Sequence, residues 1–155
     1  MSYVITGLDP ARFRHLYGRS DAELAEAGAV RIVADGDARL PCRVTLNDVT
    51  QGDAVLALNF EHLPVETIYR SRHAIFVRDG AQERARFEGR VPAQLASRLL
   101  SVRSFDADDM MIDAEVTEGI GLEAEIARMF GDPRAAWLHV HFARRGCFAA
   151  RVDRA

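Results

Sequence analysis

The sequence predicts an α+β fold, with a largely antiparallel sheet and about three short helices in a single domain spanning residues 1–155. Segments of β type outnumber helical ones, and short turns containing Gly or Asp separate them, which is typical of hairpins. The composition, 48% hydrophobic and 28% charged, is that of a globular protein. A chain of 155 residues can bury a core without disulfide bonds or a structural metal.

Three helical segments are predicted, each from a capping signal or an apolar stripe. The first begins with Asp9 as N-cap and Pro10 at the first helical position. The second follows the capping box Ser20-Asp21-Ala22-Glu23, in which hydroxyl and carboxylate each accept a backbone N–H. The third carries apolar side chains at spacings of three and four residues. These segments span residues 9–18, 21–27 and 122–130.

The rest of the chain predicts strands. Residues 54–58 form a continuous apolar run, which predicts a central strand followed by a polar loop at 59–62. Residues 41–46 alternate in polarity, which predicts a half-buried strand with Cys42 as a buried, inert thiol. The other predicted strands are 3–6, 30–33, 73–78, the hairpin 98–105 with 110–116, and the hairpin 137–142 with 147–152.

Charge and composition exclude several classes of function. A net charge of −3 argues against nucleic acid or a membrane surface as a partner. No stretch approaches the ~18 apolar residues of a membrane span, and no secretory signal is recognised, so we expect a cytoplasmic protein. All 20 basic residues are Arg and none is Lys. Schiff-base chemistry and a P-loop lysine are therefore excluded.

Residues capable of chemistry are concentrated in the last predicted hairpin. The segment 137–142 alternates, so His139 and His141 lie on one face of the strand. A three-residue loop at 144–146, with its glycine in the left-handed region, would pair Phe142 with Phe148. That register collects the apolar side chains on one face and predicts that Cys147 lies on the other, beside the two histidines.

Three interpretations of this predicted face remain open. His139, His141 and Cys147 are a partial ligand set for zinc, to which His73 or Cys42 would add a ligand. The same three residues are candidates for acid–base or nucleophilic catalysis. They can also be structural, on a face covered by a helix or by a second copy of the chain. The sequence does not decide which cofactor, if any, is bound.

A small anionic ligand is predicted from the distribution of arginine. Arg70, Arg72 and His73 lie within four residues, and Arg151 lies opposite His139 in the predicted hairpin. Guanidinium groups bind carboxylate and phosphate through paired hydrogen bonds. We expect these residues to neutralise an anionic group of the ligand.

Several segments resemble one family, DUF1203, a set of small bacterial proteins of unknown function. The resemblance spans nearly the whole chain, and the tail is its most specific part. It implies a bacterial origin and a one-domain protein of this length, and it supplies no activity or substrate. The segments that carry it are Ile5-Thr6-Gly7-Leu8, Pro41-Cys42-Arg43, His73-Ala74-Ile75-Phe76-Val77 and residues 139–152.

Together these observations predict a small-ligand binding protein or small-molecule enzyme with a polar His/Cys site on the last hairpin. One alternative is a structural or interaction domain that self-associates as a homodimer through that face. The other alternative is a zinc-binding protein. A ligand site requires a pocket with convergent polar groups, whereas an interface requires the histidine face to pack flat against a second chain.

Overall fold

The structure is a computed structural model that describes residues 2–155. Its strands are β1 (Tyr3–Thr6), β2 (Ala29–Val33), β3 (Leu40–Pro41), β4 (Asp48–Val49), β5 (Ala54–Leu63), β6 (Ser71–Arg78), β7 (Arg86–Glu88), β8 (Leu99–Phe105), β9 (Met111–Glu118), β10 (Trp137–Phe142) and β11 (Phe148–Arg154). The α-helices are α1 (Asp21–Glu26), α2 (Ala93–Ala96) and α3 (Leu122–Phe130).

Antiparallel pairing connects the strands of the two larger sheets. The six-stranded sheet has the order β7-β1-β11-β10-β8-β9, and the three-stranded sheet has the order β2-β5-β6. The short strands β3 and β4 pair separately. The predicted α+β class with a largely antiparallel sheet is confirmed, and β5 is the central strand of its sheet, as its apolar run predicted.

The helices form largely where capping residues predict them. The capping box is present, because the Ser20 hydroxyl accepts from the Glu23 N–H at 3.2 Å and the Glu23 carboxylate accepts from the Ser20 N–H at 2.8 Å. The third predicted segment is helix α3. The segment after Asp9 differs, because it forms two 3₁₀ turns, Pro10–Arg12 and Arg14–Leu16, in place of an α-helix.

One strand prediction and one loop prediction are wrong. Cys42 forms an isolated bridge with Phe76, and residues 43–45 form a turn between β3 and β4. Leu46 has a φ of 52°, which an extended strand does not allow. The turn still buries Cys42, Val44 and Leu46, so the polarity pattern predicts their burial correctly and their backbone conformation wrongly. Residues 59–62 belong to strand β5 and are not a loop: Asn59 and Phe60 pair with β6, and the register shifts between Phe60 and Leu63.

The final hairpin lies in the middle of the six-stranded sheet and separates two layers. On one face, Leu138 and Val140 pack in the large apolar cluster that includes Ile126 and Phe130 of α3. On the other face, Trp137 packs against Phe105 and the end of β5. Both faces of β10 are therefore buried. No helix in the described part of the chain is long and apolar enough to cross a membrane.

Candidate functional site

A β-bulge changes the register of the final hairpin near its loop. Val140 pairs with Ala150 as predicted, but His141 pairs with Phe148, and the register shifts between these two pairs. The predicted pairing of Phe142 with Phe148 is therefore wrong. Because β11 has one extra residue at the bulge, its side chains between the bulge and the loop lie on the face of the sheet opposite to the predicted one.

The bulge separates Cys147 from the two histidines. Cys147 belongs to the same apolar cluster as Phe142, and its Sγ accepts a hydrogen bond from Arg43 Nη2 at 3.0 Å. His139 and His141 instead lie on the face that carries Phe148. The predicted grouping of His139, His141 and Cys147 on one face is thus wrong, and the structure divides it into two sites.

The first site is a histidine cluster, defined as His62, His139 and His141. His62 comes from the end of β5, and its ring centroid lies 6.1 Å from that of His139 and 5.2 Å from that of His141. The rings of His139 and His141 are 6.0 Å apart. Phe148 stacks on His62 at 5.3 Å. With 3% and 2% exposure, His139 and His141 have almost no surface to offer a second chain.

Burial keeps the histidine cluster uncharged. It lowers the pKa of His62 to about 4 and that of His141 to about 3, with Arg103 adding repulsion in both cases. Burial, followed by repulsion from His141, lowers the pKa of His139 well below its ordinary value. The His141 Nδ1–H donates to the Gly146 carbonyl at 3.0 Å. Nδ1 of His62 and of His139 is buried without a hydrogen-bond partner in the described part of the chain.

The cluster is not arranged as a metal site. Within residues 2–155, no group of three or more His, Cys, Asp or Glu side chains is placed to hold a metal ion. The rings contact aromatic neighbours on both sides, as in an aromatic core. Of the three interpretations of these histidines, the structural one fits this geometry best.

The second site is a cavity of ≈ 520 Å³ at the loop end of the final hairpin, which we name the arginine pocket. It is enclosed by the segment 39–43, strand β6, the start of β8 and the hairpin loop. His73, Cys147 and Glu118 are further polar residues of its lining. Its five arginines are Arg39, Arg43, Arg98, Arg144 and Arg145.

Arg43 is the buried member of the arginine pocket, with 2% exposure. Its Nε donates to the Phe148 carbonyl at 2.7 Å and its Nη1 to the Pro41 carbonyl at 2.6 Å, while Nη2 donates to Cys147. Close approach of the chain at Gly7 helps to place this segment, because Leu8 N–H donates to the Arg43 carbonyl at 2.7 Å. The acceptors in the contacts of Arg43 are two carbonyl oxygens and one cysteine sulfur, and none of them is a carboxylate.

The charge of Arg43 is therefore not balanced by a carboxylate in the part of the chain that the structure describes. The guanidinium lies 4.9 Å from the ring centroid of Phe142 and 5.8 Å from that of Phe76, which provides cation–π stabilisation. Burial lowers the pKa of Arg43 to about 10. It remains a cation at neutral pH, and it lines a cavity.

The exposed side of the pocket is also positive. Arg98 pairs with Asp48 at 2.9 Å. Among the described residues, Arg39, Arg144 and Arg145 form no ion pair, and Glu118 is the one carboxylate in the pocket lining. The cavity thus carries a marked excess of positive charge, although the protein as a whole is negative.

The four residues predicted to bind an anion are not brought together. Only His73 lines the arginine pocket. The three predicted arginines are engaged elsewhere, two of them in ion pairs and one in a contact with an amide oxygen. These contacts join Arg70 to Glu61 at 3.0 Å and to Glu66 at 3.2 Å, Arg151 to Asp153 at 2.8 Å, and Arg72 to the side-chain oxygen of Asn59.

Sequence reasoning missed the arginines that do converge. The alternation over 41–46 predicts Arg43 only as a polar position of a strand, and the hairpin register predicts Arg144 and Arg145 only as loop residues. The available signal was chemical: Pro41-Cys42-Arg43 and Arg144-Arg145-Gly146-Cys147 each place arginine beside cysteine. Local spacing contains no information that these two segments meet.

Comparison with known proteins supports the resemblance seen in the sequence. No curated protein and no solved structure matches the chain. Residues 39–154 match a family described as proteins of unknown function, DUF1203. This match covers most of the 155 residues and includes both segments that enclose Arg43 and Cys147. The chain belongs to the DUF1203 family.

Proposed function

We propose that this protein binds a small organic molecule carrying two or more acidic groups, carboxylate or phosphate, in the arginine pocket. The observation that carries the proposal is the convergence of five arginines on one cavity that contains a single carboxylate. Positively charged side chains that line a concave surface raise the local concentration of anions and orient them. Paired N–H donors of guanidinium match the oxygens of carboxylate and phosphate.

The buried position of Arg43 strengthens the proposal. A cation removed from water and left without a counter-ion is costly, and an anionic group bound nearby would offset that cost. Phe142 and Phe76 hold the guanidinium in place, so little side-chain entropy would be lost on binding. Arg43 would therefore anchor one acidic group, and Arg144 and Arg145 at the rim would contact a second.

The size and walls of the pocket indicate the rest of the ligand. A volume of ≈ 520 Å³ lies within the range for metabolite-sized and cofactor-sized molecules, roughly 300–1,000 Å³. Leu40, Pro41, Leu99 and Phe142 supply apolar surface between the charged groups. A ligand with an apolar body and acidic ends fits this distribution. We propose the cytoplasm, where such metabolites are abundant, as the compartment.

Calorimetric titration with pyrophosphate and with citrate tests the proposal. We expect both anions to bind and their affinity to fall at high ionic strength, because the contacts are charged. The double variant Arg144→Gln/Arg145→Gln should weaken binding by about tenfold, or ~1.4 kcal/mol. Neither residue is buried, so the variant should fold normally.

A matched control separates the pocket from net charge. Arg14→Gln/Arg90→Gln removes the same charge from two exposed arginines outside the pocket and should leave the affinity unchanged. Equal weakening in both double variants, or no binding of either anion by the native protein, would contradict the proposal. A ligand retained through purification would be identified by native mass spectrometry.

The alternatives from the sequence receive less support. Self-association through the histidine face has no exposed area to act through, because the chain itself covers that face. A zinc site would need the cluster to rearrange, since no metal-holding group is present among residues 2–155. Elemental analysis of the native protein remains the direct test of zinc.

A further inference from the structure

We propose that Cys147 is a site of reversible thiol–disulfide exchange, selective for small disulfides that carry negative charge. The proposal rests on the anion preference of the arginine pocket and adds covalent chemistry to it. Cys147 is 7% exposed and lines the cavity, where a disulfide held by the rim arginines would meet its Sγ. A mixed disulfide at this position would occupy the pocket and exclude the anionic ligand.

The two cysteines differ in ways that make the selectivity checkable. Cys42 is fully buried, does not line the cavity, and its Sγ accepts backbone N–H groups from Arg78 at 3.2 Å and Thr45 at 3.5 Å. Cys147 Sγ instead accepts from the guanidinium of Arg43. One thiol is enclosed by backbone, and the other opens to a charged cavity.

Arg43 supplies the electrostatic reason for reactivity at Cys147. It is nine-tenths buried, bears no carboxylate partner in the described chain, and donates directly to this sulfur. Negative charge on Sγ would give the guanidinium the counter-charge it otherwise lacks. In keeping with this, attraction to the two cysteine sulfurs opposes the effect of burial on the pKa of Arg43. Cationic neighbours are a common feature of reactive cysteines.

The exchange is balanced by the disulfide itself, which is the oxidant. Cys147 loses its proton to solvent, and the thiolate attacks one sulfur of the small disulfide. A new S–S bond forms, the original S–S bond breaks, and the released thiolate takes a proton from water. Excess small thiol reverses the reaction by the same route and restores the free pocket.

Labelling kinetics with two disulfide reagents test this inference. Dithiobis(nitrobenzoate) carries carboxylates, whereas dithiodipyridine is uncharged. We expect the native protein to react once, at Cys147, with both reagents, as located by mass spectrometry of peptides. Arg144→Gln/Arg145→Gln should slow the anionic reagent by about tenfold at low salt and leave the uncharged one unchanged, because only the former is attracted electrostatically.

Two variants and one adduct complete the test. Cys42→Ser should react as the native protein does, and Cys147→Ser should not react until unfolded. Oxidised glutathione should add to Cys147, and the adduct should no longer bind pyrophosphate. The inference is overturned if Cys147 labels only on unfolding, or if the rim variant slows both reagents equally.

Failure of this inference is distinguishable from failure of the proposed function. The native protein, kept reduced and unmodified, retains the whole pocket, so it should bind pyrophosphate whether or not the thiol is reactive. Binding of pyrophosphate by the reduced native protein together with an unreactive thiol would overturn the exchange alone. Absence of pyrophosphate binding together with equal slowing of the two reagents by the rim variant would overturn both.

Discussion

Arg43 connects three segments of the chain through a single side chain. It donates to Phe148 at the start of β11, to Pro41 at the end of β3, and to Cys147 beside the hairpin loop. Guanidinium has a planar set of donors that can serve three acceptors at once, whereas an ammonium group is compact and more strongly hydrated. The position therefore requires arginine rather than positive charge alone.

Arg43→Lys should destabilise the protein by about 1–3 kcal/mol, because buried carbonyl groups would lose their donors. Urea denaturation monitored by tryptophan fluorescence measures this through Trp137. Arg39→Lys, at an exposed position of the same pocket, is the control and should stay within about 0.5 kcal/mol of the native protein. Equal stability of the two variants would show that the three hydrogen bonds of Arg43 do not contribute.

For single residues, the sequence predicted burial better than it predicted hydrogen-bond partners. The alternation over 41–46 correctly indicated that Cys42 is buried, and its inertness stays a prediction. The same alternation suggested that Arg43 faces solvent, whereas a turn directs it into the protein. A polarity pattern reports which side chains avoid water. Two of the three acceptors that make the buried arginine tolerable, in Cys147 and Phe148, lie more than one hundred positions away along the chain.

The hairpin of β10 and β11 depends on Gly146 at its loop. Gly146 has a φ of 79°, its N–H donates to the Phe142 carbonyl at 2.7 Å, and its own carbonyl accepts from His141. The left-handed conformation was predicted from the spacing of the two strands, and the loop confirms it. The loop links the arginine pocket and the histidine cluster, since residues of both flank it.

Gly146→Ala should lower the free energy of unfolding by about 1–2 kcal/mol, because a Cβ disfavours the left-handed region. Gly146→Asn is the matched variant and should lose less, since asparagine adopts this conformation more readily. Chemical denaturation of both variants gives the comparison. If the alanine variant were as stable as the asparagine variant, the loop would not require a positive φ.

Elements with strong local signals were predictable, and their register was not. The capping box, helix α3 and the last two hairpins follow from capping residues, apolar spacing and turn residues. The bulge between Val140 and His141 has no such signal, yet it decides which face Cys147 occupies. A shift of one residue at that point was enough to replace one predicted site by two.

The histidine cluster is a property of the whole molecule, because it joins the two larger sheets. His62 belongs to the three-stranded sheet and His139 to the six-stranded one, and their contact depends on how the sheets pack. Phe148 fills the space between them. Neither sheet alone would bury these rings. Because the sequence pattern of one strand does not show how two sheets pack, it could not predict that three imidazoles lie uncharged in the interior.

The stability of the fold should consequently fall in mild acid. Unfolded histidines bind protons below a pKa of about 6.5, whereas the folded values are about 4 for His62, about 3 for His141, and well lowered for His139. Their stabilisation is therefore complete above pH 6.5 and is lost as the pH falls toward the folded values. Carboxylates with lowered pKa values, such as Asp132 at about 2, act below this window.

Urea denaturation between pH 7.5 and 5.5 should show a loss of about 3 kcal/mol, most of it from His139 and His141, since His62 is partly solvated. His62→Phe preserves the stacking on Phe148 and removes one titrating group, so its loss over the same interval should be smaller. Stability that is constant over this interval would contradict the neutral cluster. If the variant lost as much stability as the native protein, His62 would not contribute to the pH dependence. His139 and His141 would then be its source.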